Sequence, residues 1–93
     1  MKSIIQHERE CLICGSWNVE EHLIYFEENH EKISEKYGLK VWLCPSHCYG
    51  TNGVYGKNGY KLDLELRQLG QKAFEWEHSR NEFIKLIGKN YLD

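Results

Sequence analysis

Four cysteines, at positions 11, 14, 44 and 48, have the spacing with the clearest chemical meaning in this sequence. Cys11-Leu12-Ile13-Cys14-Gly15 has the Cys-x-x-Cys-Gly form of a zinc knuckle, where glycine lets the backbone turn tightly beneath a metal ion. Cys44-Pro45-Ser46-His47-Cys48 supplies a second half-site, pairing Cys44 with His47 across two residues or with Cys48 across three. Either spacing suits tetrahedral zinc. A chain this small often needs a staple, either disulfides or a structural metal. The start Met1-Lys2-Ser3-Ile4-Ile5-Gln6-His7-Glu8 breaks into charge before the apolar core of an export signal forms, so a cytoplasmic location with reduced thiols is expected. The expected cofactor is one structural Zn2+ on Cys11, Cys14, Cys44 and His47, with Cys48 as the alternative fourth ligand. A redox Cys-x-x-Cys would need a long helix after it, and Trp17, Asn18 and a β-rich stretch follow instead.

The remaining groups point to surfaces rather than to a nucleophile or a phosphate cradle. The stretch from Tyr49 to Gly59 holds Gly50, Gly53, Gly56 and Gly59 with Asn52 and Asn58, but no Gly-Lys-Ser/Thr follows, so it is not a P-loop. Tyr49, Tyr55 and Tyr60 stand in or beside this loop with little apolar company, the setting of interface tyrosines. His7, His30 and His78 have polar neighbours and no metal spacing and are expected in solvent. Trp17, Trp42 and Trp76 are expected in the core or covering a sheet.

These groups need elements to position them. Val19 to Phe26 is rich in β-branched and aromatic residues and reads as a strand. Glu27 to Tyr37 should contain a short helix closed by Gly38, and Leu39 to Leu43 a second strand running into Cys44. The two strands should pair antiparallel and bring the half-sites to one end. Leu62, Leu66, Leu69 and Ala73 recur at helical spacing, with Phe74 and Trp76 near the end of that helix. Ser79-Arg80-Asn81-Glu82 has the capping-box pattern and opens a last helix through Phe83, Leu86 and Ile87 to Gly88. The fold class is therefore α+β, with helices gathered at the C-terminus.

Ninety-three residues allow one domain, 1–93, and 41% hydrophobic content with 13% aromatics excludes compositional disorder. No apolar run approaches a membrane span. The formal charge of −2 disfavours sequence-independent binding to phosphate backbones. Residues 1–35 carry eight acids against Lys2, Arg9 and Lys32, so the acidity is concentrated in the first part of the chain.

Taken together, Cys11-x-x-Cys14, Glu20-Glu21-His22, Ser34-Glu35-Lys36-Tyr37-Gly38-Leu39, Val41-Trp42-Leu43-Cys44-Pro45, Thr51-Asn52-Gly53-Val54, Phe83-Ile84-Lys85 and Gly88-Lys89-Asn90-Tyr91-Leu92 resemble the small HNH endonuclease-like proteins of bacteriophages and prophages. The resemblance implies a zinc-stabilised ββα-metal fold, with a second divalent metal in active members. It also implies imidazoles that this chain lacks. The family pattern has His-His-Ile on the first strand, against His22-Leu23-Ile24 here, and histidines where Cys48, Tyr55 and Tyr60 stand. Leucine neither takes a proton from water nor holds a metal, and tyrosine is a poor base near neutral pH. Reading Glu21-His22-Leu23 as an acid-His-aliphatic variant rescues a metal ligand and a base, but shifts the strand register by one residue.

The expected function is that of a catalytically degenerate HNH-like protein of phage origin that works by binding. The partner would be a host protein that handles nucleic acid, such as a CRISPR or other defence nuclease, making this chain an inhibitor of the anti-CRISPR or anti-defence type. The expected partner surface is Tyr49, Tyr55 and Tyr60 with Glu20 and Glu21. The alternatives are an active metal-dependent DNA endonuclease with His22 as general base, and a direct DNA-binding module.

Overall fold

The β-rich stretch from Val19 forms strand β1 (Glu20–Leu23) in the computed structural model, which describes residues 1–92. It pairs antiparallel with β2 (Lys40–Leu43), in the register Glu20 to Leu43, Glu21 to Trp42, His22 to Val41 and Leu23 to Lys40. β1 is shorter than the sequence suggests because a side chain takes over its ladder. Ile24 N–H still donates to the Leu39 carbonyl at 3.0 Å. At Tyr25, however, the Ser34 hydroxyl accepts from the backbone N–H at 3.0 Å and donates to the backbone carbonyl at 2.9 Å, and the chain leaves the strand.

Between the strands lies helix α1 (Glu31–Tyr37), closed by Gly38 at φ 69°. A Cβ at Gly38 would come within 2.3 Å of the Lys2 carbonyl, so both the left-handed conformation and the close approach require glycine there. Alternation along the strands gives the sheet two different faces. His22, Val41 and Leu43 turn inward and are buried, as is Ile24 just beyond β1. On the opposite face, Lys40 is buried and its ammonium pairs with Glu35 at 2.9 Å and Glu21 at 3.5 Å, while Trp42 lies under the Arg9 guanidinium at 4.9 Å.

β2 leads directly into a short helix, α2 (Pro45–Tyr49), where sequence reading assigns a metal half-site but no element. Pro45 at its first position has the fixed φ of a helix start. The glycine loop then folds back over α2 through Val54 N–H to His47 O at 2.9 Å and Tyr55 N–H to Cys48 O at 2.8 Å. Its glycines allow backbone contact: a Cβ at Gly59 would lie 1.8 Å from the Gly53 carbonyl.

Helices α3 (Tyr60–Phe74) and α4 (Arg80–Ile87) close the fold. The capping box is formed as the sequence suggests, with Glu82 N–H donating to Ser79 Oγ at 3.1 Å and Ser79 N–H to Glu82 Oε1 at 3.4 Å. The buried face of α3 departs from the leucine stripe. It consists of Leu66, Arg67, Gly70, Gln71 and Phe74, while Leu69 is exposed at its edge. Arg67 and Gln71 occupy that face with partners of their own: Arg67 pairs with Glu27 and Asp63, and Gln71 bonds to Asn90 and to the backbone of Tyr91.

Two tryptophans also depart from expectation. Trp17 and Trp76 are 84% and 87% exposed, one just after the knuckle and the other past the end of α3, and only Trp42 covers the sheet. His30 and His78 are half-buried rather than solvated: His30 pairs with Glu27 at 3.5 Å, and His78 stacks on Phe74 with ring centroids 4.4 Å apart. Among the described residues no helix is long and apolar enough to cross a membrane.

Candidate metal centre

The knuckle is built by local backbone bonds. Gly15 N–H donates to Cys11 O at 2.8 Å and Cys11 N–H to Ser16 O at 2.8 Å, with Gly15 at φ 76° turning the chain. Leu12 N–H donates to Trp42 O at 2.9 Å, which fixes the knuckle to β2 two residues before Cys44. Cys44 is the N-cap of α2, and His47 lies three residues on in its first turn, so both side chains leave the same end of the helix.

These two supports bring Cys11, Cys14, Cys44 and His47 together, with one ligand atom from each lying within 4.8 Å of all the others. The contacts are Cys14 Sγ to Cys44 Sγ at 3.7 Å, Cys11 Sγ to His47 Nδ1 at 3.6 Å and Cys44 Sγ to His47 Nδ1 at 3.1 Å. A tetrahedron with metal–sulfur bonds of about 2.3 Å has edges of about 3.8 Å. The four donors therefore fit one tetrahedral ion and can hold a metal.

Burial alone would raise the Cys11 thiol, but hydrogen bonds from the backbone at Cys14, Cys44 and Ile13 outweigh it and bring its pKa down to about 6. Cys11 is thus prepared for the thiolate form that binds metal. Cys48, the alternative fourth ligand, is not part of the cluster. Its sulfur lies 3.9 Å from the Leu43 carbonyl, and burial together with the nearby Glu20 charge pushes the thiol up to about 11. One residue beyond His47 on the helix, it faces another direction and remains a buried neutral thiol.

A second cluster surrounds His22. Its ring is 2% exposed, Nδ1 lies 3.4 Å from the Tyr55 hydroxyl, and Nε2 has no hydrogen-bond partner. Burial, with the Arg67 charge second, lowers its pKa to about 4, so the imidazole is neutral near pH 7. Tyr55 closes over it, with its ring 5.5 Å from His22, 5.1 Å from Phe26 and 5.8 Å from Tyr49. The Tyr49 hydroxyl donates to the Glu20 carboxylate.

Of the expected partner surface, the structure thus groups Tyr49, Tyr55 and Glu20. Glu21 is excluded by strand alternation, which points it to the opposite face beside Lys40. Tyr60, at the first position of α3, is 82% exposed and makes no ring contact with the other tyrosines among the described residues.

Phe26 and Arg67 belong beside this cluster and are missed by sequence reading. The Arg67 guanidinium lies 4.9 Å from the Phe26 ring, pairs with Glu27 at 2.7 Å and Asp63 at 3.0 Å, and donates to the Tyr91 hydroxyl at 3.0 Å. Burial would lower its pKa, but these partners raise it and keep it charged. The Asp63-to-Arg67 spacing of four was the available signal, although it usually marks only a surface helix pair.

No family model matches the chain, and no curated protein and no solved structure matches it.

Proposed function

We propose that this chain is a zinc-stapled, HNH-like domain of the ββα-metal kind that has lost its nuclease chemistry and acts by binding a protein that handles nucleic acid. Zinc is the metal favoured by three thiolates and an imidazole at tetrahedral spacing. An antiparallel strand pair, with helices after the second strand and the ligands at their junction, is consistent with the HNH-like reading.

The observation that carries the loss of catalysis is the burial of His22. A general base must reach water and the reacting phosphate, and this imidazole lies beneath Tyr55 at 2% exposure. The groups beside it are the Tyr55 phenol, the Phe26 ring and the charges of Arg67 and Glu20, so they offer no second imidazole to hold a divalent ion. Asp63 is already paired with Arg67, so the open negative charge at the exposed Tyr49–Tyr55 face is the Glu20 carboxylate, which favours a basic protein surface over phosphate. A host defence nuclease is the kind of partner this favours, which would make the chain an inhibitor.

Incubation with supercoiled plasmid and magnesium, manganese or nickel near neutral pH should give no nicking. Cleavage that disappears in His22→Ala would establish the enzyme instead. In parallel, the intact chain used as bait in nuclease-treated bacterial lysate should retain a basic, nucleic-acid-handling protein. Tight binding of duplex DNA at physiological salt would replace this reading with the DNA-binding one.

A further inference from the structure

The rings of Phe26, Tyr55 and Tyr49 form a row from the interior to the surface. Phe26 and Tyr55 meet edge to face, and Tyr55 and Tyr49 are stacked with planes 23° apart. The inner end of this row already carries a cation. Arg67 lies against Phe26, and its nitrogens are held by the carboxylates of Glu27 and Asp63. The outer end has the same parts without a cation: Tyr49 is 63% and Tyr55 50% exposed, and the Glu20 carboxylate lies at the Tyr49 hydroxyl. Among the described residues no lysine or arginine forms an ion pair with Glu20.

We propose that the stacked Tyr49–Tyr55 pair and Glu20 form a receptor for an arginine side chain of the partner. This deepens the binding function proposed above and rests on it for the partner's identity. A guanidinium suits the site better than an ammonium. It is planar and weakly hydrated, so it can lie on an aromatic face, while its forked donors reach a carboxylate alongside. An ammonium keeps more of its hydration and offers no flat face. A carboxylate has about four lone-pair sites, and the Tyr49 hydroxyl and the Cys48 thiol beside Glu20 leave acceptor capacity for a guanidinium.

Short arginine and lysine homopeptides, titrated into the full zinc-loaded chain and followed by tyrosine ring resonances, test this directly. The arginine peptide should bind about fivefold or more tightly than the lysine peptide and shift Tyr49 and Tyr55 before other rings. Glu20→Gln and Tyr49→Leu, both at exposed positions, should each remove that preference while zinc content and far-UV dichroism stay unchanged. Equal affinity for the two peptides, or an undiminished preference in Glu20→Gln, would overturn the proposal. Capture of the same basic partner by wild type and by both variants would also overturn it, yet leave the general binding function standing. Arginine preference without capture of any basic protein would instead count against that function and leave the receptor intact.

Discussion

The side-chain amide of Gln71, fully buried on α3, accepts the backbone N–H of Tyr91 on its oxygen at 2.8 Å and donates from its nitrogen to Asn90 Oδ1 at 2.8 Å. One polar side chain in the core thus holds the last described turn of the chain, and Arg67 holds the Tyr91 hydroxyl from the same helix face. Gln71→Leu should cost about 1–3 kcal/mol, because it removes side-chain hydrogen bonds and takes the acceptor from the part-buried Tyr91 N–H. Urea denaturation measures the cost. Truncation before Lys89 should destabilise wild type more than it destabilises Gln71→Leu, since the variant has already lost the contacts that the truncation removes.

The four-donor cluster predicts about one zinc per chain, required for folding. Elemental analysis of protein purified without chelator checks the stoichiometry, and His47→Ala should lose both zinc and cooperative unfolding. Cys48→Ala should keep its zinc, because that sulfur points away from the cluster. Metal loss in Cys48→Ala would reverse the assignment of the fourth ligand.

His22 makes stability depend on pH with a definite sign. Its folded pKa of about 4 lies below its ordinary 6.5, so on acidification the unfolded chain takes the proton first. The contribution is complete above pH 6.5 and is lost as pH falls through the folded value, with a total of about 3 kcal/mol. Denaturation midpoints for wild type and His22→Gln over this range should converge toward acid. Zinc-ligand protonation is common to both proteins and cancels in the difference.

Ser79→Ala removes the acceptor for Glu82 N–H and with it half of the capping box of α4. A loss of about 1 kcal/mol is expected by urea denaturation, with zinc content unchanged.

The four clustered donors were legible because tetrahedral metal binding imposes a short spacing that survives in one dimension, and Gly38 and Ser79 were legible because capping is local. The content of the buried α3 face was not. Leu69 fits a helical stripe as well as Leu66 does, and only the positions of Tyr25, Phe26 and the C-terminal turn decide that Arg67 and Gln71 are inside while Leu69 is at the edge. Likewise, nothing local distinguishes the exposed Trp17 and Trp76 from core tryptophans. The surface role of Tyr49 and Tyr55 could be read from their glycine neighbours, but their stacking comes from a loop folding back over a helix that the sequence did not announce.

The segment ahead of the knuckle, together with Leu12 inside it, also bears on how these molecules behave in company. Ser3 Oγ donates to Lys40 O at 2.5 Å, Gln6 Oε1 accepts from Trp42 N–H at 2.8 Å, and Leu12 N–H satisfies Trp42 O. Together they occupy backbone groups of β2 that a two-stranded sheet would otherwise offer to any passing chain. Unprotected edges of this kind recruit further strands and seed aggregates. The N-terminal arm therefore covers the β2 edge, and the polar Ser3 and Gln6, which look dispensable in the sequence, take backbone groups that an added strand would need.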